Sequence, residues 1–134
     1  MSLVLIALSA CEATGDQAEL NPADPSIGML QHTVYFYLND DITSDEIKQF
    51  EIGLKQLVSI NEVHKAQIGV PGSTEERDVT DHSFSYSIIA WFETLEEYQV
   101  YADHPDHLEF IDTFSHLWAD VKVYDSEIVD EVVD

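Results

Sequence analysis

From Leu30 to Leu38 the chain alternates, with His32, Val34, Phe36 and Leu38 on one side of an extended strand and Gln31, Thr33, Tyr35 and Tyr37 on the other. Asn39-Asp40-Asp41 breaks that period with turn chemistry. Beyond it, Ile47, Phe50, Leu54 and Leu57 recur at intervals of three and four, which predicts a helix of about four turns. Thr43 or Ser44 can cap this helix, and Asp45 and Glu46 are well placed in its first turn. A second strand is expected over residues 63–70, ending at Pro71-Gly72, after which a loop carrying Glu75, Glu76 and Asp78 leads to Ser83. Alternation returns over residues 84–92, with Phe84, Tyr86, Ile88, Ala90 and Phe92 facing one way and Ser85, Ser87, Ile89 and Trp91 the other. Residues 94–102 and 107–118 read as helices divided at Pro105, because a residue preceding proline is pushed out of the helical region. Residues 121–129 complete the set as a strand.

Strand, helix, strand, strand, helix pair, strand is the ferredoxin-like βαββαβ order. It implies an α+β fold with one antiparallel sheet and helices on one face. The other face would present Tyr35, Tyr37, Ile89 and Trp91, and an aromatic patch of that size on a lone domain marks an interface. A homodimer packed sheet against sheet is therefore expected.

A chain of 134 residues is one domain's worth of protein, and the folded part should occupy residues 29–129, followed by an acidic tail, 130–134. Residues 1–28 stand apart: Leu3 to Ala10 is apolar, Cys11 follows, and Asn21 to Gly28, with Pro22 and Pro25, reads as a linker. The apolar run is too short to span a bilayer, which needs about 20 residues, but fits the core of a secretory signal, typically about 7–15. Leu8-Ser9-Ala10-Cys11 resembles a bacterial lipobox, in which cleavage leaves the cysteine as a lipid-bearing first residue. On that reading Cys11 is a lipid attachment point on a periplasmic or cell-surface protein. On the other, the run is a short element packed on a cytoplasmic domain, with Cys11 a small buried hydrophobe.

Asp and Glu outnumber Lys and Arg by 27 to 5, a formal charge of −22. Lys48, Lys55, Lys65, Arg77 and Lys122 form no basic cluster, which excludes nucleic acid as a partner and leaves a lipid anchor as the expected route to a membrane. Self-repulsion of this size opposes compaction unless salt screens it, so a saline habitat and a merely acidic surface both remain open. A lone cysteine rules out internal disulfides.

Three stretches carry a more specific signal: His32 with Val34 and Phe36; Phe92-x-x-Leu95-x-x-Tyr98; and Tyr101-Ala102-Asp103-His104-Pro105-Asp106-His107-x-x-Phe110. Over about residues 29–128 they resemble the stress-responsive α/β barrel, or Dabb, domain family. The resemblance implies ferredoxin-like subunits that pair into a dimeric α/β barrel. A plant member of that family is a polyketide cyclase that performs an intramolecular aldol condensation without a cofactor, so none is expected here. Similarity to it implies catalytic roles for Tyr101 and His107 and pocket positions for His32 and Phe50; where the cyclase has a second pocket tyrosine, this chain has Leu54.

An imidazole such as His107, titrating near neutrality, suits a general base, and the Tyr101 phenol can donate to an oxygen on which negative charge develops. The alternative is architectural, with His107 capping a helix after Pro105 and Tyr101 a core aromatic whose hydroxyl sits at the rim. The expected site is a pocket between sheet and helices, lined by His32, Val34, Phe36, Phe50, Leu54, Ile88, Tyr101 and His107 and taking an apolar small molecule. A cofactor-independent cyclase or lyase, with His107 as base and Tyr101 as acid, is the alternative function. His104 and His107, flanked by Asp103 and Asp106, do not match a known ligand spacing such as His-Glu-x-x-His, so no metal is expected. His64, His82 and His116 read as surface or interface residues, and Asp125, Glu127, Asp130, Glu131 and Asp134 as solvated.

Overall fold

The computed structural model describes residues 26–132, so the apolar N-terminal run and Cys11 lie outside the described residues. Its elements are β1 (Leu30–Leu38), α1 (Ser44–Leu57), β2 (Lys65–Gly69), β3 (Tyr86–Phe92), α2 (Leu95–Ala102), α3 (Pro105–Phe114), a 3-10 turn over Ser115–Leu117, and β4 (Trp118–Glu127). The strands form one sheet in the order β2-β3-β1-β4, antiparallel at every pairing. This is the βαββαβ arrangement that the alternation of periods predicts.

Thr43 opens α1 through a reciprocal capping box: its hydroxyl accepts from the Glu46 N–H at 3.2 Å, and the Glu46 carboxylate accepts from the Thr43 N–H at 2.8 Å. The helix buries Phe50, Gly53, Leu54 and Leu57. Gly53 is required there because the Phe114 ring lies against bare backbone, where an added Cβ would overlap it. Phe36 on β1 meets Phe50 at 5.3 Å between ring centroids, and Phe110 of α3 and Trp118 at the start of β4 close on the same pair. That aromatic nucleus, extended by Val34, Ile88, Ala90 and Phe92, binds the helical layer to the sheet by burial of apolar surface.

Several local expectations need correction. Helix α3 begins at Pro105 rather than at His107, because a proline at the first helical position gives up an N–H that has no partner there anyway. His104 is the cap, with its Nδ1 accepting from the Asp106 N–H at 3.1 Å, so the capping role considered for His107 belongs to its neighbour. The helix also ends at Phe114, and β4 runs over 118–127 instead of 121–129. Finally, Phe84 precedes β3 and packs on Tyr35 of the helix-free face, 4.9 Å between centroids, rather than sharing a face with Ile88.

Candidate functional site

The buried face of β1 contains one polar residue, His32, 6% exposed. Asp125 is its direct partner in the antiparallel β1–β4 register, and the His32 Nδ1 lies 2.6 Å from the Asp125 Oδ1. A carboxylate at that nitrogen holds the ring's orientation and places the proton on Nδ1 in the neutral form, leaving Nε2 as the free acceptor. The rest of the ring is enclosed by aromatics: Tyr98 at 5.2 Å, Tyr101 at 6.1 Å and Phe92 at 6.3 Å between centroids.

Helix α2 supplies both tyrosines. Thr94 caps it by accepting from the Glu97 N–H, and the three-residue spacing of Tyr98 and Tyr101 brings both rings to the sheet. The Tyr101 ring is 2% exposed, wedged between Phe92 at 4.9 Å and His107 at 4.8 Å. Burial holds its phenol well above the usual tyrosine range, so the group is a neutral donor. His107 sits in the first turn of α3, where the proline break turns the chain back over Tyr101. Its Nδ1 is buried and has no hydrogen-bond partner among the described residues. Desolvation lowers the pKa of this imidazole; the Ala102 carbonyl acts more weakly in the other direction, without satisfying Nδ1.

The expected site thus divides in two. His32, Tyr101 and His107 come together as one polar cluster, whereas Val34, Phe36, Phe50, Leu54 and Ile88 pack on one another as the core, and a pocket walled by those five is not what the structure presents. The reason is that Phe50 and Leu54 of α1 are driven fully into the sheet by the same apolar burial that makes the fold. The open apolar surface lies one strand further out. Val121 and Val123 pair with Phe36 and Val34 and so point to the helical side of the sheet, yet they are 38% and 48% exposed because the helices leave β4 uncovered. This strip runs directly to Asp125.

A separate cleft of about 750 Å³ between α1 and α3 is floored by Leu57, Ile60, Phe110 and Phe114, but contains no imidazole or phenol. Among the described residues, no group of three or more His, Cys, Asp or Glu side chains is arranged to hold a metal. Sequence reasoning missed Asp125, taken as solvated, and left Tyr98 without a role. The signal available was His32 itself, a lone polar group on an inward face that needs a partner from the adjacent strand.

Residues 30–128 match the stress responsive A/B barrel domain along nearly the whole described fold. The chain belongs to that family. This A/B barrel domain is 26% identical over 98 residues to a stress-response A/B barrel domain-containing protein of Arabidopsis thaliana, covering 72% of this chain and 46% of that protein. The chain therefore spans about half the length of that curated relative. Among solved structures it is similar to a Dabb family protein with a ferredoxin-like fold from Mesorhizobium loti, at 27% identity and a TM-score of 0.60, covering 74% of this chain and 95% of that one. A dimeric ferredoxin-like protein of unknown function from Thermobifida fusca matches at 21% identity and a TM-score of 0.61, over 75% and 91% of the two chains. The hydroxynitrile lyase of Passiflora edulis matches at 17% identity and a TM-score of 0.66, over 82% and 100%. At these identities the last two likenesses show a shared fold.

Proposed function

We propose that this A/B barrel domain works as a homodimer that binds an apolar small molecule along the uncovered inner side of β4, with one end of the molecule against His32, Tyr101 and His107. The observation that carries the reading is the exposure of Val121 and Val123 on the side of the sheet that is otherwise core, continuous with the His32–Asp125 pair. An apolar strip ending in a few convergent polar groups is the usual composition of a small-molecule site. Dimerisation draws on the helix-free face, where Tyr35, Phe84 and Tyr124 form an aromatic cluster and Lys65 lies over Trp91. The similar proteins from Thermobifida fusca and Bacteroides fragilis are described as dimeric. The test is titration with the neutral fluorophore N-phenyl-1-naphthylamine: Val121→Glu should abolish binding while thermal unfolding stays cooperative, and undiminished binding overturns the site.

A second reading is favoured by the unpartnered His107 Nδ1. As a cofactor-independent cyclase or lyase, the domain would use His107 to take a proton from a carbon beside a carbonyl, while the Tyr101 phenol donates a hydrogen bond to the oxygen that gains the charge. The Passiflora edulis protein is a lyase on this fold. His107→Ala should then abolish turnover without loss of the fold, and full activity in that variant removes the enzyme reading. Lipid attachment at Cys11, outside the cytoplasmic membrane, belongs to the same proposal. Mass spectrometry of protein from its native membrane tests it, and an uncleaved, unmodified Cys11 overturns it.

A further inference from the structure

We infer that Tyr98 is the residue that selects the ligand, donating its phenolic hydrogen to a neutral carbonyl oxygen at the His32 end of the site. The inference rests on the reading of β4's inner side as the binding surface and adds to it a chemical class: an apolar body tipped by a ketone, aldehyde or ester, in place of a plain hydrocarbon or a carboxylic acid.

Tyr98 has the nearest ring to His32 of the three that enclose it. It is only partly buried, unlike Tyr101, and it has no side-chain hydrogen bond to any described residue. Tyr101 is walled in by Phe92 and His107, whereas Tyr98, one turn earlier on α2, is partly exposed beside the imidazole.

Its chemistry follows from its neighbours. Desolvation and the charge of Asp125 both hold the Tyr98 phenol above its ordinary pKa, so it keeps its proton and acts as a donor. A donor beside a carboxylate accommodates a neutral acceptor. A ligand carboxylate would bring a second negative charge towards Asp125, in a chain whose formal charge is already −22. The phenol and the anion thus select together, one for an oxygen and the other against a charge.

Three probes of one shape separate these terms: acetophenone, ethylbenzene and benzoate, titrated into the isotopically labelled full chain and followed by NMR at Val121, Val123 and the His32 ring. The expected result is acetophenone binding about tenfold tighter than ethylbenzene, the size of one net hydrogen bond, with benzoate weakest. Tyr98→Phe should bring acetophenone down to the ethylbenzene level and leave ethylbenzene unchanged. An unaltered His32 ring spectrum in that variant shows that the His32–Asp125 pair is intact. A Tyr98→Phe variant that still prefers the ketone, or benzoate binding as tightly as acetophenone, overturns the inference and leaves the binding site standing. No shift with either neutral probe overturns both.

Discussion

His32 and Asp125 face each other across the β1–β4 ladder, 2.6 Å apart, with the imidazole on the buried side of β1 and the carboxylate at the open edge of the sheet. The contact reaches from the interior to solvent in a single hydrogen bond. Asp125→Ala leaves the His32 ring nitrogen without an acceptor and should cost about 1–3 kcal/mol in urea unfolding, whereas Asp125→Asn, which keeps an oxygen in place, should cost clearly less. Equal losses in the two variants would mean that packing, and not the hydrogen bond, holds the histidine.

His107 makes stability depend on pH. Burial lowers its pKa below the ordinary 6.5, so on acidification the unfolded chain takes up this proton before the folded one does. The contribution is present above that ordinary value and disappears as the pH falls through the lower folded one. Between about pH 7.5 and about pH 5, wild type should lose more stability than His107→Gln, as read from urea midpoints. Parallel curves for the two proteins would show that this imidazole does not sense its burial.

How far the sequence reveals this molecule depends on the range of the forces involved. The strands and α1 are legible because period-two and period-3.6 burial is written locally, and the Thr43 cap lies within four residues of its partner Glu46. The start of α3 is misread by two residues because the same proline that ends one helix is tolerated at the first position of the next. Phe84 is misassigned because alternation continues past the point where the ladder stops. The site is harder still. Tyr101 and His107 lie in one motif, but the partnership of His32 with Asp125 spans 93 residues and depends on strand register, which composition does not encode. Nor does hydrophobicity distinguish Phe50, packed solid in the core, from Val123, left open on β4.

Gly53 offers a test of helix packing. In an exposed helix Gly→Ala would stabilise by about 1 kcal/mol, but here the new methyl meets the Phe114 ring. Gly53→Ala should therefore be net destabilising, because displacing a packed ring costs typically about 1–3 kcal/mol. Combined with Phe114→Ala, the same change should be stabilising relative to Phe114→Ala alone. A gain from Gly53→Ala by itself would show that Phe114 moves aside freely.

The helix-free face predicts the assembly. Trp91 pairs with Gln31 on that face and lies under the Lys65 ammonium, 4.9 Å from the ring centroid. Trp91→Glu adds a negative charge to each side of a two-fold contact, where like charges meet themselves. Light scattering should report a dimer for wild type and a monomer for this variant, each with the same far-ultraviolet circular dichroism. A wild-type monomer would remove the dimer from the proposal.

The position of β4 bears on how such a domain can change over time. Residues 121 and 123 occupy alternate places on a single edge strand, and neither of them supports the aromatic nucleus around Phe50. Substitutions there can be accumulated one by one without the stability loss that a change in a packed interior would bring. A lineage built on this scaffold is thus free to exchange one ligand for another along a single strand while its fold is inherited intact, and divergence among its members should concentrate on that strand rather than on the helices.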